Sequence, residues 1–278
     1  MIIDTHLHLI DRSALRYPWL AGVPALNRDF SYEDYATEAQ RVGVERVLHM
    51  EVDVDPADIE AETARVAGLS RQPGSMLTGV IASCRPEEAD FATYLERQQK
   101  NPFVKGFRRV LHVVPDDLSE GVLFRENIKR LGGTGLTFDL VVLPHQIPKA
   151  IALADLAPDV QFVLDHCGVP DIKANAEHPW REHMSEMARR PNVMAKISGV
   201  VAYGGPAWTV ETLRPYVEHT IGSFGWDRVV WGSDWPVCTL GGGLSTWVAA
   251  THALLAGCSA GERERLLSGN ARKLWRLK

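Results

Sequence analysis

The stretch VQFVLDH, residues 160–166, shows in seven residues the pattern that decides the fold. A run rich in β-branched and aromatic residues ends abruptly in charged or polar ones, which is typical of a buried strand that leads into a loop. Seven more runs of this kind occur along the chain. They are IIDTHLHL (2–9), ERVLHMEV (45–52), LTGVIASC (77–84), VKGFRRVLH (104–112), LTFDLVVL (136–143), VMAKISG (193–199) and RVVWGSD (228–234).

Helix-like stretches separate these runs. They lie at 32–43, 56–69, 87–100, 146–157, 177–190, 209–223 and 245–256. Strands that alternate with helices predict βα units and a parallel sheet. Eight such units favour a closed (β/α)8 TIM barrel over a doubly wound sheet, and no GxGxxG follows the first strand to support the latter. We therefore predict an α/β fold with one barrel domain over residues 1–278.

The composition excludes several classes of function. The chain has 278 residues, 45% of them hydrophobic, and a formal net charge of −5, so no basic surface indicates a nucleic-acid or anionic-membrane partner. The strongly apolar run 247–256 is too short for a membrane span, and the first residues lack the pattern of a signal peptide. We expect a cytoplasmic enzyme. The four cysteines form no CxxC pair, which argues against a thiolate zinc site and a disulfide framework.

Polar residues at strand ends are the candidates for chemistry, because a barrel carries its active site at the C-terminal ends of its strands. His6 and His8 share one face of the first strand, and such a pair can bind one borderline-soft divalent ion, for which zinc is the best match. The sixth strand ends in His166 and the eighth in Asp234. Each alone is compatible with a helix cap or loop, but together they indicate an active site.

Three further strand-end residues are candidates for substrate binding. Glu51 ends the second strand, and Arg108 and His112 end the fourth. An arginine suits carboxylate or hydroxyl oxygens, although a surface ion pair is the alternative for Arg108. The chain contains no GxSxG motif and no cysteine in a nucleophile signature, so direct attack by water is the simplest chemistry. We predict hydrolysis of an ester, lactone or amide.

Two more polar residues have open roles. Lys196 lies inside the seventh strand, where a buried ammonium is costly unless it is paired. It therefore either points outward among the helices or lies near a carboxylate. His145 follows the fifth strand, and a loop histidine is the simpler interpretation there.

Eight motifs in order along the chain resemble the lactonase-type branch of the amidohydrolase superfamily. They are IDTHLHL (3–9), YPWL (17–20), RDF (28–30), GFR (106–108), VLDHCGVP (163–170), KISGV (196–200), WGSDWPVC (231–238) and GNARKLW (269–275). That branch includes hydrolases of L-fucose- and L-rhamnose-derived lactones and a pyrone dicarboxylate lactonase. The resemblance covers nearly the whole chain and implies a distorted (β/α)8 barrel.

The resemblance also implies roles for individual residues. His6 and His8 match the ligand pair of the first strand, His166 the histidine of the sixth and Asp234 the base of the eighth, which also serves as a metal ligand. Arg108 matches an arginine that meets substrate oxygens. Relatives with two metals carry a bridging lysine or glutamate on the fourth strand, where this chain has arginines. This departure implies one divalent ion or none, since the branch includes members that work without metal.

The predicted reaction opens a lactone ring. Asp234 takes a proton from water, the water attacks the carbonyl, and the proton passes to the ring oxygen. Tyr17 and Trp19 would cover the face of a sugar ring, with loop packing as their alternative. Glu51 stands where sugar lactonases often have an amide, and it would bind substrate hydroxyls or a cation. The predicted site contains only a few cationic residues. This scarcity favours a neutral polyhydroxy lactone, such as an L-fucono-, L-galactono- or L-rhamnonolactone, over a dicarboxylate as the substrate.

Two other functions remain open from the sequence. A metal-dependent decarboxylase of the same superfamily would reuse the HxH pair, a later histidine and a late aspartate, but the YPWL, GFR and DHxGxP motifs favour a lactonase. A barrel that binds a sugar acid without catalysis is the second alternative. The barrel buries its core without a partner, so both a monomer and a homodimer are compatible with the sequence.

Overall fold

The computed structural model describes residues 1–277. Within them, eight parallel strands form one sheet in sequential order. A parallel bridge between Leu7 and Trp235 brings the first strand against the end of the last. The result is a nearly closed barrel with helices outside it, and the predicted TIM-barrel fold is confirmed.

The strands are short and buried. They are β1 (Ile2–Leu7), β2 (Val44–Met50), β3 (Leu77–Ser83), β4 (Val104–Val110), β5 (Thr137–Val141), β6 (Gln161–Leu164), β7 (Val193–Ile197) and β8 (Val229–Trp231). Several end two or three residues before the predicted limit. The reason is visible at β6 and β8, because His166 (φ 56°) and Asp234 (φ 58°) adopt left-handed backbone that cannot continue a strand.

Helices connect the strands and close the chain. They are α1 (Tyr32–Arg41), α2 (Ile59–Leu69), α3 (Phe91–Gln98), α4 (Val122–Lys129), α5 (Ile147–Leu156), α6 (Trp180–Met187), α7 (Val200–Tyr203), α8 (Val210–Phe224), α9 (Leu244–Leu254), α10 (Ala260–Glu264) and α11 (Asn270–Trp275). The helices α4, α7, α10 and α11 were not predicted from the sequence. The helix α4 buries Phe124, Asn127 and Ile128, but its first two residues, Val122 and Leu123, are apolar and exposed, which obscures the period of its apolar stripe.

Two apolar clusters form the core. The larger one fills the layer between the strands and the helices. The smaller one contains Ile3, Ile81, Val163, Met194 and Val230 from the strands, together with Ala271, Trp275 and Leu277 from the C-terminal segment. The C-terminal segment thus packs on the inner apolar residues of the strands. The polar residues lie further along the same strands, toward their C-terminal ends.

No helix within residues 1–277 combines the length and the apolar character needed to cross a membrane.

Candidate active site

The inner surface at the C-terminal ends of the strands is lined by charged and polar side chains. Each is at most 6% exposed. They are His6, His8, Glu51, Arg108, Asp139, Asp165, His166, Lys196 and Asp234. Burial of so many ionisable groups is costly and is characteristic of functional sites.

Backbone hydrogen bonds bring the end of β1 against the loop that follows β8. The amide of Asp234 donates to the carbonyl of His6 (2.9 Å), and the amide of His8 donates to the carbonyl of Trp235 (2.7 Å). A Cβ at Gly232 would lie 2.7 Å from Cβ of His6, so only glycine allows this approach. The two predicted histidines and the predicted aspartate are therefore neighbours because of these contacts.

His166 is held by the end of β7. Its Nδ1 lies 2.8 Å from Oγ of Ser198, and a Cβ at Gly199 (φ 71°) would stand 2.8 Å from the same nitrogen. The left-handed backbone of His166 turns its side chain toward Asp234, whose Oδ2 lies 4.0 Å from Nδ1. Strained backbone of this kind is concentrated at functional sites.

His6, His8 and Asp234 form a set of possible metal ligands. Nε2 of His6 and Nε2 of His8 are 3.2 Å apart, and Oδ1 of Asp234 lies 3.7 and 3.4 Å from them. Ligands of a tetrahedral zinc ion at about 2.0–2.1 Å lie about 3.3 Å from one another. Nδ1 of His8 donates to the carbonyl of Met50 (3.0 Å), which leaves a lone pair on Nε2 that can bind a metal ion. The donor set therefore fits one divalent ion.

The imidazoles of His6 and His166 favour the neutral form. Burial lowers the pKa of His6 well below its usual value, and the nearby Lys196 lowers it further. Burial also lowers the pKa of His166, against the opposing effect of Asp234. Neutral rings are the form that binds a metal ion.

A chain of buried ion pairs crosses the barrel beside this set. Arg108 donates from Nε to Oε1 of Glu51 (2.6 Å) and lies 3.3 Å from Oδ2 of Asp165. Lys196 lies 2.8 Å from Oδ1 of Asp165 and 2.7 Å from Oδ2 of Asp139. Burial opposes ionisation of Asp165, but Lys196 and His6 outweigh it and hold its pKa well below the usual range.

The ion pairs decide two questions that the sequence left open. Lys196 lies near carboxylates inside the barrel, which is the second of its two predicted positions. Glu51 is fully buried, and its oxygens accept from Arg108 and from the amide of Asp53, so its carboxylate supports the guanidinium. Asp139 was not predicted from the sequence, and Asp165 was noted only as part of the Asp–His pair that ends the sixth run, without a role of its own. The only signal for Asp139 was one carboxylate in the apolar run LTFDLVVL.

The two aromatic residues predicted to cover a sugar ring lie in the loop that follows β1. Tyr17 is 8% exposed within the larger core cluster, and its hydroxyl accepts from the amide of Asp11. Trp19 is partly buried, and its indole donates to the carbonyl of Val52, one residue after Glu51. Tyr17 therefore packs in the apolar core, whereas Trp19 contacts the backbone that follows β2.

Three other polar or aromatic residues, His112, Tyr203 and His145, differ in their position relative to the cluster. Nδ1 of His112 is buried without a hydrogen-bond partner among the residues described, and burial and the charge of Arg108 lower the pKa of this ring to about 4. Tyr203, which sequence reasoning missed, packs edge-on against His166 with ring centroids 6.0 Å apart. His145 lies outside the cluster, exposed and 3.1 Å from Asp116, as expected for a loop histidine.

The fold and the site together define a class of protein: a (β/α)8 barrel enzyme with a metal-competent His–His–Asp set at the C-terminal ends of its strands. The chain belongs to the amidohydrolase family, because the Amidohydrolase family model matches residues 3–277. The family predicted from the sequence motifs is thereby confirmed.

Similar proteins include two lactone hydrolases. An L-fucono-1,5-lactonase of Burkholderia ambifaria is 28% identical over an alignment of 285 positions that covers 99% of this chain and 95% of that protein. A 4-sulfomuconolactone hydrolase of Rhizobium radiobacter is 26% identical over 84% of this chain and 75% of its own. Among solved structures, a zinc-bound amidohydrolase from Burkholderia multivorans superposes with a TM-score of 0.88 at 24% identity, covering both chains completely.

Proposed function

We propose that the chain hydrolyses a neutral sugar lactone, resembling an L-fucono-, L-galactono- or L-rhamnonolactone, by attack of water on the carbonyl. One observation carries the proposal: Oδ2 of Asp234 is buried and makes no hydrogen bond to any residue in 1–277. A buried carboxylate oxygen without a partner is costly, and a bound water or substrate would satisfy it. The relatives named as lactonases support hydrolysis of a lactone over decarboxylation.

Asp234 would accept a proton from the attacking water through Oδ2 and later deliver it to the ring oxygen that leaves. His166 borders the same oxygen and would orient the carbonyl or the water. His6, His8 and Oδ1 of Asp234 would hold a divalent ion, zinc by donor type, and the chemistry that such an ion supplies is polarisation of the carbonyl. Arg108, kept in place by Glu51, would place its positive charge beside the substrate oxygens, while its Nη1 lies 3.3 Å from Oδ2 of Asp165 and 3.3 Å from Nε2 of His6.

The charge of the site supports a neutral substrate. Glu51, Asp139, Asp165 and Asp234 carry four formal negative charges, and Arg108 and Lys196 carry two positive ones, which leaves −2 before any ion binds. Both cations are already paired with carboxylates. A substrate carboxylate would therefore meet no unpaired side-chain cation among these residues, and with the divalent ion bound the formal charge of the site is zero, which suits a neutral substrate.

The test is proton release by the purified protein with a panel of aldonolactones, each with and without a chelator. Release above the spontaneous rate with one stereochemical subset is the expected result. A decrease in rate with chelator, restored by zinc, would support the metal, and an unchanged rate would show that the reaction needs none. Turnover only of a pyrone dicarboxylate, or carbon dioxide release from an aromatic acid, would overturn the proposal.

A further inference from the structure

The environment of the Lys196 ammonium resembles that of a metal ion. Its Nζ is fully buried and lies 2.7 Å from Oδ2 of Asp139, 2.8 Å from Oδ1 of Asp165 and 3.2 Å from Nδ1 of His6. Two carboxylate oxygens and one imidazole nitrogen form a set that would also suit a divalent ion. The ammonium donates to Oδ2 of Asp139 and forms an ion pair with Oδ1 of Asp165. It can donate to Nδ1 of His6 only while Nε2 of that neutral ring carries the proton, that is, while Nε2 binds no ion.

This ammonium borders a second possible set of metal ligands. His6, Asp165 and His166 bring one ligand atom each within 4.8 Å of one another, as do His6, His8 and Asp234. The two sets share His6. Because Nζ of Lys196 contacts both His6 and Asp165, its positive charge lies at the edge of this second set and would repel an ion there.

We propose that Lys196 is a built-in cation that fills a second metal position, so that the barrel takes at most one divalent ion, at His6, His8 and Asp234. The site of that one ion rests on the proposed function, whereas the effect of Lys196 does not. Removal of the ammonium leaves two carboxylates without their partner in a buried space, and a divalent ion would then replace it.

The experiment is a calorimetric titration of metal-stripped protein with zinc chloride, with circular dichroism as the check of folding. We expect one equivalent per chain for the wild type and two for Lys196→Ala. Lys196→Gln is titrated in parallel because truncation to alanine risks the fold, and it is also expected to bind one equivalent more than the wild type. Asp139→Asn added to Lys196→Ala removes a ligand and should abolish the gain.

The matched control is Lys105→Ala. Lys105 is also a strand lysine, but it is half-buried and donates to the carbonyl of Pro102, so its loss should leave the count unchanged. Two equivalents in the wild type, or no gain in either folded Lys196 variant, would overturn the proposal. No zinc in the wild type and one equivalent in the variants would uphold it while refuting the proposed His–His–Asp centre.

Discussion

The two ends of the barrel interior use the same strands for opposite purposes. On β6 and β7, Val163 and Met194 belong to the inner apolar cluster, and two residues further along the same faces come Asp165 and Lys196. The apolar end is packed against Trp275 from the C-terminal segment. A step of two residues thus separates an apolar layer that stabilises the fold from a layer of charged side chains that pair with one another.

This contrast shows how one fold separates stability from chemistry. Burial of apolar side chains stabilises without any requirement for a particular partner. A buried charge needs its own partner at the right distance, so the polar layer is specific but contributes little net stability. We therefore expect substitution of Asp234, whose Oδ2 has no hydrogen-bond partner within residues 1–277, to affect activity, and substitutions in the apolar layer to affect unfolding.

The largest expected effect is that of Asp234→Asn in the polar layer. The amide cannot accept a proton from water, so kcat should fall by about 10²–10⁴-fold. The melting temperature should change little, since Oδ2 makes no hydrogen bond within residues 1–277. Proton release and thermal unfolding measure the two quantities. Asp227→Asn is the control, because that side chain is 90% exposed, and normal turnover by Asp234→Asn would exclude Asp234 as the base.

The second-largest effect is expected for Trp275→Ala in the apolar layer. The side chain is 3% exposed, and its indole donates to Oγ1 of Thr137. Its removal should lower the free energy of unfolding by about 3–5 kcal/mol, measured by chemical denaturation, while KM of the folded fraction stays the same. Trp275→Phe keeps most of the apolar contact and should cost much less. A large change in KM with unchanged stability would break the comparison.

The smallest effect is expected for Ser198→Ala, at the boundary between packing and chemistry. The change removes the hydroxyl that lies 2.8 Å from Nδ1 of His166. A loss of about 1 kcal/mol of orientation energy corresponds to a decrease of about fivefold in kcat/KM. Ser185→Ala, at an exposed serine on α6, is the matched control. Equal rates for the two variants would show that Ser198 does not position His166.

Local pattern was sufficient to predict the strands and the polar residues that end them. His6 and His8 lie on one face because side chains alternate along a strand, and their Nε2 atoms meet at 3.2 Å. The limits of β6 and β8 were less predictable, since left-handed backbone at His166 and Asp234 depends on what surrounds the loop. The helix α4 was missed because two exposed apolar residues at its start, Val122 and Leu123, obscure the period of its apolar stripe.

The alternation of strands and helices, the family and the strand ends that carry polar residues could all be predicted from the sequence. The tertiary structure alone decided which charges meet: Lys196 with Asp139 and Asp165, and Glu51 with Arg108. The physical reason is distance. Periodicity along one strand tells which residues share a face, but a pair between β2 and β4 or between β5 and β7 exists only once the sheet has closed around it.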